Sequence, residues 1–468
     1  MNGEINMALN FRSVKYNTKE LIKRIDAKYY IFKNDFSKYI LENKDNVIDF
    51  DNYIINITDG EHAGQTFVEE GILFLKNSSI KDFDISIYDG FYITEENHNR
   101  LIRSELKQEN ILFTTIGHVG SSAIVPKGFG KANINQNLVK IEVDKKKISP
   151  YYIVAYLNSK LAREQVNSLL TGNIQSILTY PKIKSIKIIR PNKDLEIEIE
   201  KRYKKALEYN KKAHQIINDI EKYLYLFFDF NLSKKNTYNI SLEYLEDRKN
   251  LWTPKYYYPL YVNTEKYLQN TFQVEKLKKI ADIQKGNEPG SDSYISYLNK
   301  KENDVPFIRT SDIYNYQIDN TPDNFVDFST YIELEQNVRS GDILFTKDGK
   351  IGEIAMVTDL DIAIFGSGVE RIRLNEYGKK LGLTNEYLFS ILKLKEIGLY
   401  NSKRYTVTAS TIPHLNEKMI NRFIIPILDK ETIDFVTKKL KVAFKLINEK
   451  KKLFKWCQDN INNILTIS

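Results

Sequence analysis

Apolar and polar positions divide the chain into two long stretches of short strands, each closed by a helix. From about residue 47 to 192, apolar runs of four to six residues alternate with polar turns; runs of this kind, bounded by turn residues, predict buried strands. Ile54-Ile55-Asn56-Ile57 leads to Asp59-Gly60-Glu61-His62, Gly71–Leu75 ends in Lys76-Asn77-Ser78-Ser79, and Ile111-Leu112-Phe113-Thr114 is followed by Gly117 and Gly120. Ser122–Val125 and Asn133–Val143 give further strands, and Tyr151–Leu170 has helical spacing. The polar loop Thr171–Ser176 then precedes a strand over Ile186–Ile189 and Pro191.

The ILFT tetrad returns at Ile343-Leu344-Phe345-Thr346, 232 residues on, and its glycines return at Gly349 and Gly352 with the same shift. An internal repeat decides the architecture, so it outranks any local reading. Val305-Pro306-Phe307-Ile308 and its turn Arg309-Thr310-Ser311-Asp312 answer the Phe74 strand and Lys76–Ser79. At a shift of 235, Tyr387 answers Tyr152, Ser410-Thr411-Ile412 answers Gln175-Ser176-Ile177, and Pro426 answers Pro191. Lys28-Tyr29-Tyr30 and Lys255-Tyr256-Tyr257 precede the two copies by similar distances.

A heptad pattern follows each copy. Ile199, Ala206, Ala213, Ile220 and Phe227 interleave with Tyr203, Asn210, Ile217 and Leu224. Ile433, Leu440, Ile447, Phe454 and Ile461 interleave with Val436, Ala443, Lys450, Cys457 and Ile464. Such a seam faces a partner helix, and Asn210 and Lys450 are polar breaks of the kind that fix register. A helix of roughly 35 residues spans about 50 Å. The expected fold is α+β: two similar target-recognition domains joined by two long antiparallel coiled-coil spacer helices, an internal pseudo-twofold repeat. The expected divisions are an N-terminal segment to 46, a first domain over 47–192, a helix over 193–230, a connecting segment over 231–270 that repeats the N-terminal one, a second domain over 271–427 and a helix over 428–468.

Composition narrows the function classes. The 468 residues are 42% apolar and 28% charged, an ordinary globular balance. No apolar run approaches the roughly 20 residues of a membrane span, and no basic-then-apolar leader is visible at the start. One cysteine excludes an intramolecular disulfide framework and fits a reducing cytoplasm. With five histidines scattered along the chain, no zinc-ligand spacing emerges. A net charge of +8 permits a polyanionic partner. There is no phosphate-binding G-x-x-x-x-G-K-[ST] loop, H-E-x-x-H or G-x-S-x-G elbow. Glu196, Glu198 and Glu200 resemble part of a nuclease metal site, but they also suit the first turns of a helix, where the dipole favours acids.

The repeated ILFT–Gly–x–x–Gly strand and turn, Phe307–Ile313, the Gly60 turn, the polar loops and the terminal heptads together resemble the specificity subunit of type I restriction–modification systems. The likeness covers essentially the full length, although Pro191-Asn192-Lys193 and Pro426-Ile427-Leu428 lack the family's proline-then-glutamine strand end. It implies a non-catalytic subunit that reads a bipartite target in double-stranded DNA. It also implies two methyltransferase subunits and a restriction/translocase subunit as partners, which would carry S-adenosylmethionine, ATP and magnesium; no cofactor belongs to this chain. The alternatives are a related phage-defence methylation subunit or a nuclease with a degenerate metal site. Because bases are read by donors and acceptors on loops and phosphates by cations, the candidate DNA contacts of the first copy are Lys76, Asn77, Ser78, His118, Lys127, Asn173 and Gln175. Those of the second are Arg309, Thr310, Ser311, Lys347, Lys350, Arg404 and Tyr405. Each is also an ordinary loop residue on a solvated surface.

Overall fold

The structure, a computed structural model, describes residues 29–33, 36, 46–61, 66–87, 90–170, 177–190, 192–228, 230, 238–241, 253–336, 338–409 and 412–464. It divides into two compact units, one of Met1–Tyr203 with Phe454–Ser468, the other of Lys204–Leu453. Both boundaries fall inside long helices.

The first unit holds an antiparallel sheet in the order Ile54–Asp59, Leu138–Val143, Ile111–Thr114, Ser122–Ile124. A second sheet sets Ile72–Leu75 between Phe91–Ile93, antiparallel, and Ala132–Ile134, parallel. The second unit repeats both. Its four-stranded sheet runs Ala281–Lys285, Val369–Leu374, Ile343–Thr346, Ile354–Met356, and Val305–Ile308 lies between Asn324–Val326, antiparallel, and Ile364–Phe365, parallel.

The ILFT tetrad is apolar without alternation because both faces of its strand are covered. All four residues are buried in each copy. In the second unit Leu344 joins Ile308 and Phe365 of the neighbouring sheet. Ile343 and Phe345 face the helix Asn385–Lys393 through Tyr387, Leu388 and Ile391. In the first, Leu112 packs with Leu75, Ala132 and Ile134. The threonine closes the turn: Thr114 Oγ1 accepts from Ser121 N and Thr346 Oγ1 from Glu353 N, both at 2.9 Å. The second glycine donates back to the same threonine's carbonyl at 3.0 Å in both copies. Gly117, Gly120, Gly349 and Gly352 all have φ between +63° and +103°, where a side chain is strained.

Two of the expected correspondences shift by two residues. Tyr387 does answer Tyr152: each hydroxyl donates to a carbonyl of the strand before a long helix, Pro426 O at 2.8 Å and Ile189 O respectively. Pro426 therefore corresponds to Ile189, 237 residues earlier, and not to Pro191, which is outside the described residues. Ile177 bridges Ile116 as His414 bridges Asp348, again a shift of 237, so Ile412 does not answer Ile177. The two extra residues of the second copy fall between Tyr387 and His414, where the chain takes a π-helical turn over Lys395–Leu399, wider than an α-turn. Pro426 pairs with Val274 inside a strand, so it does not mark a strand end.

The long helices run Lys193–Leu224 and Lys430–Ile464. Asn192 caps the first through Leu195 N at 2.9 Å, and Asp429 caps the second through Thr432 N at 2.9 Å. Within each unit they pack antiparallel. In the first unit Tyr203 meets Phe454 edge-on at 5.0 Å and Cys457 Sγ lies 3.9 Å from Ile199 O. In the second Lys450 Nζ donates to Asn210 at 3.1 Å and Tyr223 meets Phe435 at 4.7 Å. The heptad positions Ile199, Tyr203, Ala206, Ala213, Ile217, Ile220 and Leu224 are buried, as are Ile433 to Ile461 including Lys450. Phe227 lies in a turn beyond the first helix. The tyrosine pairs before the two copies are alike too, edge-on at 5.2 Å for Tyr29–Tyr30 and 5.0 Å for Tyr256–Tyr257.

Candidate nucleic-acid interface

In each unit three loops meet at the end of the sheets where the ILFT strand stops. In the first unit these are the turn after Leu75, the Thr115–Gly120 turn, and the segment at Ile177. Asn77 Nδ2 donates to Ile116 O at 3.3 Å, joining the first two; Leu178 N donates to Thr115 O at 3.0 Å, joining the second and third. Gly60 lies on the same edge, where an added Cβ would come within 1.8 Å of Ile134 O. Lys76, Asn77, Ser78 and His118 are thereby brought together, with Ser78 and His118 exposed. Asn173 and Gln175 lie outside the described residues. Lys127 is not part of the cluster. It follows Ser122–Ile124 at the opposite end of that strand, beyond Val125, whose carbonyl accepts from Glu109 N at 2.9 Å.

The second unit repeats the meeting. Leu415 N donates to Lys347 O at 2.8 Å, Gly349 N to Pro413 O at 3.1 Å, and the His414 ring lies 2.8 Å from Asp348 Oδ1. Thr310 reaches the same place: a Cβ on Gly368 would lie 3.0 Å from Thr310 Cγ2 and 3.4 Å from Asp348 Cβ. Arg309 Nη2 donates to Asp323 at 3.0 Å and its backbone N to Asp312 at 2.8 Å. Burial disfavours this guanidinium's charge, but Asp312 and Asp323 outweigh it and raise its pKa. Ser311 is exposed, and Lys350 lies 3.7 Å from Glu353.

Three of the candidates belong to the interior instead. Arg404 and Tyr405 are 3% and 7% exposed; Arg404 donates to Tyr256 O at 3.0 Å and is paired with Glu265, and Tyr405 stacks on Phe423. Their helix, Tyr400–Tyr405, turns its basic end inward, where the half-buried Glu265 offers a partner. Lys347 is 8% exposed, its ammonium 3.6 Å from the fully buried Glu370. Sequence reasoning missed Gly286, whose Cβ would meet Gly366 O at 2.2 Å as Gly60's would meet Ile134 O. The spacing of Gly60 and Gly64, repeated by Gly286 and Gly290, was the available signal. It also missed Asp348, His414 and Glu288; the last accepts from Ser367 N at 2.8 Å and Tyr294 Oη at 2.6 Å. No sequence signal marked those three.

Glu196 accepts from Ser149 N at 2.7 Å while Glu198 pairs with Arg202 at 2.7 Å. Both carboxylates serve the helix and its surroundings. Among the described residues no group of three or more His, Cys, Asp or Glu side chains is placed to hold a metal ion, and no helix is long and apolar enough to cross a membrane.

The twin frames thus gather polar and cationic loops at equivalent ends. Residues 269–453 match the family model of the type I restriction modification DNA specificity domain. The chain covers 89% of its own length and 94% of the S subunit of a type I restriction–modification system from M. genitalium, at 15% identity and a TM-score of 0.33. Against an HsdS subunit from Thermoanaerobacter tengcongensis the shares are 89% and 95%, at 13% identity and a TM-score of 0.27. The assignment rests on the family model, not on these superpositions. No curated protein matches the chain by sequence. Over residues 269–453 the chain is similar to the DNA specificity domain of type I restriction modification.

Proposed function

We propose that each unit reads one half of a bipartite target in double-stranded DNA, and that the chain directs methyltransferase and restriction subunits to it. The observation that carries this is the duplicated ILFT turn with unlike loops, Lys76-Asn77-Ser78 in one copy and Arg309-Thr310-Ser311 in the other. Folding requires only the frame to repeat; two different half-sites require the loops to differ. The antiparallel pairing of the long helices within each unit supports their role as a spacer, since successive turns of the major groove lie about 34–36 Å apart. Adenine methylation with S-adenosylmethionine, and cleavage with ATP and magnesium, belong to the partner subunits in this reading, and the setting is the cytoplasm.

The test is methylation mapping of a host expressing this chain with its candidate methyltransferase, against the methyltransferase alone. A split motif with a fixed gap is expected only when both are present. Methylation by the purified chain unaided, or an uninterrupted motif, would overturn the proposal.

A further inference from the structure

The cation at the end of the central reading strand is held in opposite ways in the two units. In the second unit Arg309 leans on carboxylates. At the equivalent place in the first, Lys76 Nζ lies 3.5 Å from the centre of the Phe91 ring and 4.8 Å from that of Phe67. The two rings touch, 4.6 Å between centroids, and Phe67 is anchored on buried Phe74 at 5.9 Å. Both remain exposed, 39% and 40%. An ammonium over aromatic faces is stabilised by their quadrupoles, and burial against the rings lowers the Lys76 pKa from its usual value. Single exposed apolar residues call for no explanation. Two adjacent phenyl rings beside the only cation of the Lys76–Ser79 turn are a different matter, because Asn77 of that turn is tied to the His118 loop.

In the major groove, thymine presents an acceptor, O4, next to an apolar C5-methyl group, and phenyl rings are suitable partners for that methyl. No other base offers an acceptor beside a methyl. We propose that Phe67, Phe91 and Lys76 form a thymine-reading subsite of the first unit, the rings receiving the C5-methyl and the Lys76 ammonium donating to O4. Arg309 is held by Asp323 and Asp312 and flanked by Tyr294 with its hydroxyl on Glu288, and among the described residues no pair of phenyl rings seats it. The second unit therefore reads a different base at the corresponding position. This inference rests on the DNA-recognition reading above.

The chain assembled with its methyltransferase would be titrated with duplexes carrying the mapped motif, replacing each thymine in turn with uracil, which keeps O4 but lacks the methyl. One position should bind about fourfold more weakly, the worth of one buried methyl group. Phe91→Ala and Phe67→Ala should abolish that difference. Lys76→Met should weaken thymine and uracil duplexes together, leaving their ratio in place. A motif bound specifically but with equal affinity for uracil at every thymine would overturn the subsite and leave the recognition reading intact. So would a difference that survives Phe91→Ala, or a ring variant that keeps the full thymine preference but loses a partner subunit. Absence of any specific binding by the wild-type complex would overturn both readings.

Discussion

Behind the first unit's Gly117–Gly120 turn lies a buried ion pair, and removing half of it should damage one half-site reader and spare the other. Arg163 Nη2 is paired with Asp82, their side chains 7% and 5% exposed. The same guanidinium donates to Ser121 Oγ at 3.1 Å, Asn158 Oδ1 at 3.2 Å and Val119 O at 3.3 Å, so it stitches the turn to the helix Lys160–Leu169. A Cβ at Gly120 would sit 3.0 Å from Arg163 Nη1, a measure of how closely the turn lies on it. Breaking a buried pair by deleting one partner costs about 3–5 kcal/mol, because the other charge is stranded. Three neutral acceptors stay with Arg163, so Asp82→Ala should fall near the lower end, about 3 kcal/mol. That is a large part of the roughly 5–15 kcal/mol that holds a domain folded. Replacing both partners with apolar residues, Asp82→Leu with Arg163→Met, removes the stranded charge and should recover most of the loss. The chain has two tryptophans, and Trp456 belongs to the first unit, under the Arg202 guanidinium at 4.0 Å. In a Trp252→Phe background, urea unfolding followed by Trp456 fluorescence would report on that unit. Methylation mapping should show one half of the motif relaxed or lost. An Asp82→Ala loss below about 1 kcal/mol, the scale of an exposed pair, or a double variant no better than the single, would refute the argument. The second unit offers a control, since its Gly352 turn rests on Leu399 and Ser402 rather than on a charge.

Further tests draw on other parts of the molecule. Gly349→Ala has open space around it and φ of +63°, so it should cost about 1–2 kcal/mol from backbone strain alone. Gly60→Ala and Gly286→Ala drive a methyl into backbone carbonyls and should leave little soluble protein, as expression yield and circular dichroism would show. Cys457 is buried and desolvation pushes its thiol up to about 12; a thiol reagent at pH 8 should react only as the protein unfolds, and rapid native-state labelling would refute this. Burial lowers the Lys393 pKa although Glu221 raises it. The unfolded chain then binds more protons than the folded one between the lowered value and the usual one near 10.5, so stability relative to Lys393→Met should rise as pH climbs through that interval. A flat or falling difference in urea midpoints would contradict it.

The repeat was legible because its residues do the same geometric work in both copies. Ile, Leu and Phe of the tetrad cover two faces of one strand, the threonine closes the turn, and the glycines take positive φ. The heptads were legible for a similar reason, since one helix face must stay apolar turn after turn. The site was legible only where a loop is short and tied to that frame, as for Asn77 and Arg309. Arg404 and Lys347 were misplaced because a polar residue beside a turn looks the same in sequence whether an acid from a distant segment awaits it or solvent does. Glu265 and Glu370 are 139 and 23 residues away from their partners, and nothing local announces them. Two extra residues before His414 moved every later correspondence, a change invisible until strand partners fixed the register.

The equivalent cations show what duplication leaves free to vary. Position 76 and position 309 both follow a four-residue strand whose last residue is fully buried, so the backbone delivers each side chain to the same place. What surrounds the charge differs although the backbone repeats: Phe67 and Phe91 in one copy, Asp323 and the adjoining Asp312 in the other. Among the described residues no carboxylate pairs with the Lys76 ammonium, whereas an arginine in a salt bridge has part of its fork occupied before DNA arrives. Phosphate binding alone would favour free cations in both units, since a paired guanidinium must first give up its acid. Keeping Arg309 in a carboxylate grip makes sense if orientation is what matters, because a fixed fork distinguishes acceptor patterns on base edges that a swinging one would not. On that argument Asp323→Ala should loosen discrimination at one base pair of the second half-site more than it weakens binding. Affinities for the cognate duplex and for single-base variants would decide between them: a uniform gain or loss across all sequences would mean that Arg309 serves phosphate instead.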